Sequence, residues 1–238
     1  MGVVAAALIV LVLSQWMIEQ DATVESVGSR PAVSASATPT PSPSPSAVVP
    51  SPSASPSESA VTDPVLIAAP VRLQIPTLDI DTKVLPVGLD KNDALGIPED
   101  ITKVGWYELG VPPGVDRGSA VLVAHRDGAV QGRGVFYYLG NLNVGDKVIV
   151  QNSAGEDLKY KVVARELIKK KRLPYEELFA VDGEPRLTLI SCGGYYDRNN
   201  GGYQDNIVVT AVPMFNPVEV EPVPSSASAS PVASALPA

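Results

Sequence analysis

Short apolar segments separated by turn-forming residues dominate the middle of the chain. Residues 71–75 and 147–150 alternate apolar and polar positions, and this period of two is typical of half-buried β-strands. Residues 120–124 and 187–190 are apolar almost throughout, which predicts interior strands, and residues 206–211 predict the last strand. Many short strands with Gly, Pro, Asn and Asp between them indicate a mostly β domain, either a sandwich or a barrel.

Two local signals add detail to this domain. Residues 152–155, Asn-Ser-Ala-Gly, lead from one strand into the apolar and polar alternation of 158–163, which predicts a hairpin. One short helix is expected at 174–179, with Pro174 at the first helical position and Glu176 and Glu177 in the first turn.

The amino-terminal residues form an apolar run from 2 to 18, and about 17 residues is the short end of what spans a bilayer. Trp16 stands where an interfacial aromatic would lie. No basic leader precedes the run, and Glu19 and Asp21 follow it in place of a small-x-small cleavage site. We therefore expect residues 1–20 to be an uncleaved membrane anchor, with a cleavable signal peptide and a buried core helix as the alternatives.

Two regions of low complexity flank the β domain. Residues 21–64 are rich in Pro, Ser and Ala and offer few large apolar side chains, so we expect a disordered stalk. A polyproline II conformation over about 35 residues would reach on the order of 100 Å. Residues 216–238 have the same composition and are expected to be a disordered tail. The folded domain is therefore placed at residues 65–215.

Charge and rare residues narrow the function. The net charge of −8 argues against general nucleic-acid binding, which needs a basic face. The chain contains one Cys and one His, so an internal disulfide is impossible and a zinc site built from Cys and His clusters is excluded. We predict no metal and no cofactor.

The two rare residues stand in matching positions. His125 follows the apolar segment 120–124, and Cys192 follows 187–190, so each is expected at a strand end before a polar loop. A Cys nucleophile needs a nearby base or cation, which His125 can supply. Arg198 is the only Arg or Lys after Cys192 and could donate to a developing oxyanion. Each residue also has an ordinary interpretation: a buried small hydrophobe, a structural His and a solvated Arg.

The sequence around these residues resembles the sortase family. Residues 188–192, Thr-Leu-Ile-Ser-Cys, are similar to the Thr-Leu-x-Thr-Cys signature, and residues 118–125 look like the strand that delivers the catalytic His. Residues 192–198 and 203–209 resemble the actinobacterial class F branch. Further similarity lies in four segments spread along the domain, namely 75–80, 104–107, 134–139 and 144–148.

This resemblance implies an eight-stranded sortase-type β-barrel with one or a few short helices, and three catalytic residues. Cys192 would attack the scissile carbonyl of a Leu-Pro-x-Thr-Gly-type sorting signal and form a thioacyl enzyme. His125 would act as acid and base, and an Arg would bind the oxyanion. Many sortases carry that Arg at the start of the final strand, where this chain has Asn206, so Arg198 is chosen instead.

The resemblance also implies where and on what the chain acts. Leu173 and Phe179 are expected to bind the Leu-Pro part of the signal, since the connection 171–185 walls the groove in sortases, and a purely packing role is the alternative for them. Ser191 is also expected to bind substrate. The partners would be secreted proteins with a carboxy-terminal sorting signal and an amine acceptor such as a cell-wall precursor or a pilin lysine. The domain would lie outside a Gram-positive, actinobacterial cell membrane, with a single pass through it.

Three other functions compete with this one. A papain-like enzyme would have its Cys before its His, whereas here His125 precedes Cys192. An L,D-transpeptidase would have a His beside the Cys, and Cys192 has none. A non-catalytic binding module on a membrane-anchored stalk remains the alternative, and it predicts an unreactive thiol far from His125.

Overall fold

The structure is a computed structural model, and it describes residues 25–31, 68–91 and 93–219. Within these ranges, the helices are too short or too polar to span a bilayer. The predicted anchor, residues 21–24 and 32–64 of the predicted stalk, and residues 220–238 of the predicted tail lie outside the described residues.

The described strands are β1 Val27–Gly28, β2 Pro70–Ile75, β3 Ile80–Val87, β4 Val104–Tyr107, β5 Ser119–Val123, β6 Asp127–Gly128, β7 Gly132–Arg133, β8 Lys147–Asn152, β9 Asp157–Lys169, β10 Arg186–Asp197 and β11 Gly202–Pro213. Eight of them close into a barrel, in the order β8-β2-β3-β4-β5-β10-β11-β9, because β9 pairs with β8 as well as with β11. The prediction of a mostly β fold with an eight-stranded barrel is confirmed. A separate two-stranded hairpin, β6–β7, follows β5.

Helical structure is confined to short segments between strands. The one α-helix described, α1, spans Tyr175–Leu178, so the predicted helix is confirmed within a residue at each end. Pro174 is its N-cap and not its first residue. Four single 3-10 turns complete the described elements: Pro76–Leu78, Leu139–Asn141, Lys170–Arg172 and Arg198–Asn200.

The core fills the inside of the barrel and also covers part of its outside. Inward-facing side chains such as Leu73, Val150 and Leu189 are fully buried. A second buried cluster lies on the outer face of β5, β10 and β11, and it includes Ile190 and Val208. The central strands read as continuous apolar runs because both of their faces are covered.

Strand β10 is longer than the sequence pattern indicates. The prediction that the strand ends at Cys192 is wrong, since β10 continues to Asp197 and stays paired with β11. A β-bulge between Gly193 and Tyr196 interrupts this pairing. At Gly194, φ is +72°, and a Cβ there would lie 2.1 Å from a carboxylate oxygen of Asp205. Only glycine fits such a position, and the bulge bends β10 just past Cys192.

Part of the predicted stalk packs against the barrel. Residues 25–31 lie on the outer edge of β9, where Val27 and Gly28 of β1 pair with Arg165 and Ala164. Arg165 is buried and donates to the backbone oxygen of Glu25 over 2.7 Å. These seven residues therefore differ from the expectation of disorder, because β9 offers them free backbone groups and a buried guanidinium.

Candidate active site

The candidate site lies where β5 ends beside its parallel neighbour β10, which itself continues past the site to Asp197. Val123 pairs with Ile190, so the residues two positions further along, His125 and Cys192, emerge at the same edge of the barrel. The backbone N–H of Ala124 donates to Ile190 over 3.2 Å. The Ser191 hydroxyl donates back to the Ala124 oxygen over 2.9 Å. These two bonds hold the residue before His125 against the residues before Cys192.

One cavity of about 410 Å³ is lined by both His125 and Cys192. Its other walls come from the β6–β7 hairpin, which contributes Asp127, and from Tyr203 of β11. A larger groove of about 570 Å³ crosses β2 and β3, but its lining contains neither Cys nor His. The smaller cavity is therefore the place where a nucleophile and an acid–base group can act on one ligand.

The thiol of Cys192 is partly buried, and its surroundings favour the neutral form. Burial raises the pKa of Cys192, and the Asp127 carboxylate also raises this pKa. The cations of Lys170 and Arg126 lower the pKa, with Lys170 the stronger of the two. At neutral pH the free site therefore holds mainly a thiol, and a base or a bound substrate must favour the thiolate.

A buried apolar cluster lies next to Cys192 on the outside of the barrel. In β10, Ile190 lies two residues before Cys192 and on the same face, next to Val208 of β11. Leu173 and α1 pack over these residues, and Phe179 packs edge-on against Tyr107 with ring centroids 5.5 Å apart. Leu173 is 6 % exposed and Phe179 is partly buried, so both belong to the covering wall.

A cation fixed by aromatic rings lies beside the nucleophile. The guanidinium carbon of Arg126 is 4.9 Å from the ring centroid of Tyr203 and 5.6 Å from that of Tyr137. The Tyr203 hydroxyl donates to Asp127 over 2.5 Å. Burial and this hydrogen bond raise the pKa of Tyr203, so its hydroxyl stays protonated and keeps donating.

The other predicted site residues lie outside the lining of the cavity that His125 and Cys192 share. Arg198 is exposed in the turn after β10 and does not line the cavity. Asn206 is opposite Cys192 in the β10–β11 register and is fully buried. Among the described residues, neither side-chain amide atom of Asn206 has a hydrogen-bond partner. Ser191 is buried with its hydroxyl bonded to Ala124, and it does not line the cavity either.

The sequence interpretation missed Arg126, Asp127 and Tyr203. Arg126 and Asp127 directly follow the only His in the chain, and this adjacency was a signal that could have been used. Tyr203 is far from them in sequence and reaches the cavity only because β11 pairs with β10. No sequence signal would have identified it without that register.

Comparison with known proteins identifies the family. The family model described as the sortase domain matches residues 73–214, which is more than half of the chain. The chain belongs to the sortase family. Sortases are cysteine transpeptidases, so an enzymatic function replaces the alternative of a non-catalytic binding module. A comparison with curated proteins finds no match.

Several solved sortase structures are similar to this sortase. Sortase C1 of Streptococcus agalactiae, in complex with MTSET, is 23% identical with a TM-score of 0.48, covering 61% of this chain and 69% of that one. A lid mutant of sortase A from Corynebacterium diphtheriae is 22% identical with a TM-score of 0.48, covering 65% and 72%. Sortase C-1 from Actinomyces oris is 25% identical with a TM-score of 0.47, covering 62% and 76%.

Proposed function

We propose that this sortase cleaves a Leu-Pro-x-Thr-Gly-type sorting signal through a thioacyl intermediate on Cys192 and transfers the protein to an amine. The observation that carries the proposal is that the only Cys and the only His of the chain line one cavity. Cys192 lies within β10 and His125 follows the end of β5, and the parallel pairing of these two strands holds both residues on a rigid part of the barrel.

In the first half of the reaction, the Cys192 thiolate attacks the Thr carbonyl carbon of the signal. The carbonyl π pair moves to oxygen and forms a tetrahedral oxyanion. The pair then returns, the C–N bond to Gly breaks, and the imidazolium of His125 gives its proton to the leaving amine. The products are a thioester on Cys192 and a neutral His125.

In the second half, an acceptor amine attacks the thioester. His125 takes the proton of that amine as the new C–N bond forms, and the Cys192 sulfur leaves as a thiolate. The enzyme returns to its starting state with no net gain or loss of protons. The raised pKa of Cys192 fits this cycle, because a buried sulfur gains by being acylated and neutral.

We place the Leu and Pro side chains of the signal against the apolar wall beside Cys192. Ile190 and Val208 are buried beneath Leu173 and α1, so the signal would pack against the outer side of this wall and not on these two residues. A Pro fixes its backbone in an extended form, and an extended segment suits a shallow groove along a strand. Leu173 and Phe179 are proposed as part of this groove.

The cellular setting is proposed from the resemblance. The enzyme would be held at a Gram-positive cell membrane by residues 1–20 and would act on secreted proteins. Its acceptor would be a cell-wall precursor amine or a pilin lysine. Membership of the class F branch stays a prediction.

Kinetics of two variants test the proposal. Cys192→Ala should abolish cleavage of a fluorogenic Leu-Pro-x-Thr-Gly peptide, since the chain contains no other thiol. His125→Gln should reduce kcat/KM to near background, because it removes both the acid and the base, and each proton transfer is typically worth about 10²–10⁴-fold. Both variants should unfold at temperatures close to that of the wild type. Cleavage that survives in Cys192→Ala would refute the proposal.

A further inference from the structure

The geometry points to Arg126, and not Arg198, as the catalytic guanidinium that binds the oxyanion of the tetrahedral intermediate. This inference rests on the proposed function of Cys192 and His125. Arg126 follows His125 directly, lines the same cavity as Cys192, and is close enough to the sulfur to act on it electrostatically.

The two tyrosine rings lie next to the Arg126 guanidinium and leave it able to donate. A guanidinium held over an aromatic face by cation–π attraction still has N–H groups that can bond an oxygen. Among the described residues, the buried Nε of Arg126 has no hydrogen-bond partner. The nearby carboxylate of Asp127 is engaged by the Tyr203 hydroxyl. The site therefore holds a positioned cation with unused donor capacity.

The other candidates for this role are less well placed. Arg198 is exposed and outside the cavity lining. Asn206 faces the same side of the sheet as Cys192, but its amide is neutral and fully buried. Lys170 acts more strongly on Cys192 than Arg126 does, yet it does not line the cavity and stands in a turn with two further basic residues. Arg126 is the cation that shares a cavity with both reacting side chains.

In the reaction, Arg126 acts when the thiolate attacks and the carbonyl π pair moves to oxygen. An Arg126 N–H donates to the new O⁻, and no bond of the guanidinium is made or broken. When the pair returns and the C–N bond breaks, the hydrogen bond weakens to one with a neutral thioester carbonyl. The interaction is therefore stronger in the transition state than in the bound substrate, which is the condition for raising kcat.

The first experiment compares peptide cleavage by full-length variants. Arg126→Gln should lower kcat/KM by about 10²–10³-fold, the usual loss for one oxyanion donor. Arg126→Lys should recover part of this, because it keeps the charge over the rings but loses the planar fork. Arg198→Gln is the matched control and should stay within about twofold of the wild type, as expected for an exposed group outside the cavity.

The second experiment measures the cation without using substrate. Cys192 is alkylated by anionic iodoacetate and by neutral iodoacetamide, and the ratio of the two rates reports positive charge near the sulfur. Arg126→Gln should lower this ratio by about fivefold, the effect expected of losing one partly exposed unit charge from the cavity that holds the sulfur. Arg198→Gln should leave it unchanged, and Lys170→Gln gives the contribution of the other cation.

The outcomes separate this inference from the proposed function. A wild type that turns over the peptide, with Arg126→Gln equally active, would overturn the role of Arg126 and leave Cys192 and His125 in place. A fall in both kcat/KM and the alkylation ratio, with an unchanged melting temperature, supports it. If Arg126→Gln unfolds, the activity of Arg126→Lys tests the role of Arg126. Full activity of Arg126→Lys would refute a need for the guanidinium fork, and a partial loss of kcat/KM supports it. A wild type that never acylates Cys192 refutes the proposed function, whatever the alkylation ratio shows.

Discussion

Substituting Gly28 tests whether residues 25–31 are part of the folded domain. Gly28 has a φ of +77°, and a Cβ there would lie 2.0 Å from the backbone oxygen of Val163 and 2.8 Å from Val144. Gly28→Ala therefore cannot keep β1 in place. The left-handed backbone alone costs about 1–2 kcal/mol for Ala, and the clash with a backbone oxygen adds to it.

Three contacts depend on this docking. Arg165 donates to the Glu25 oxygen, the Leu167 N–H donates to the Ser26 hydroxyl over 3.2 Å, and Arg30 forms an ion pair with Glu166 over 2.6 Å. Since these contacts are lost together when the segment leaves, the amide of Leu167 reports on docking. A cost of at least about 1–2 kcal/mol corresponds to a five- to thirtyfold loss of its exchange protection.

Hydrogen exchange at the Leu167 amide, compared with that in a matched glycine variant, measures the loss of docking. Gly155 has a φ of +85° with no atom within 4 Å of an added Cβ, so Gly155→Ala has the same backbone penalty without the clash. Exchange at Leu167 should accelerate in Gly28→Ala and not in Gly155→Ala. Equal exchange in all three proteins, or an unprotected Leu167 in the wild type, would show that residues 25–31 do not dock.

Three further predictions concern the site itself. Burial raises the pKa of Cys192, so the pH midpoint of its alkylation by iodoacetamide should lie above the usual range for Cys, and a midpoint at or below that range would refute the buried thiol. The midpoint should rise further in Lys170→Gln, which removes a cation that lowers the pKa of Cys192, and fall in Asp127→Asn, which removes an anion that raises it. Ser191→Ala should lower stability by about 1 kcal/mol, measured by denaturant unfolding, because the bond to Ala124 is lost, and a raised KM at unchanged stability would instead support the substrate-binding role predicted for Ser191. Residues 171–185 carry Leu173 and α1, so replacing them with the corresponding connection of a sortase that prefers another sorting signal should change which peptide is cleaved. Unchanged peptide selectivity would count against a substrate groove at this segment.

The strands could be predicted because their pattern is local. The β8–β9 hairpin follows from a turn sequence between two alternating segments, and β5 and β10 follow from apolar runs that only a doubly covered strand would carry. Strands β3 and β4 carry weaker patterns, since Pro86 and Gly105 interrupt them, and the sequence predicts neither strand.

Long-range contacts explain what the sequence did not indicate. Residues 25–31 have little apolar character. They dock because the folded barrel presents the edge of β9 for strand pairing and the buried Arg165 as a hydrogen-bond donor. His125 and Cys192 were found because each is unique in the chain and each follows an apolar run. Arg126 has no such rarity, and its importance depends on Tyr137 and Tyr203, which reach it from other parts of the fold.

The most direct test of the catalytic account is the mass of the enzyme during turnover. The full-length chain is mixed with a Leu-Pro-x-Thr-Gly peptide in the absence of an amine acceptor, and the reaction is quenched in acid. The protein is then digested with a protease, and the masses of its peptides are measured by mass spectrometry. The account predicts that the peptide containing Cys192 gains the mass of the acyl fragment, that Cys192→Ala shows no such gain, and that an added amine removes the adduct and yields the transfer product. Cleavage of the Leu-Pro-x-Thr-Gly peptide at the wild-type rate by Cys192→Ala would contradict the catalytic account.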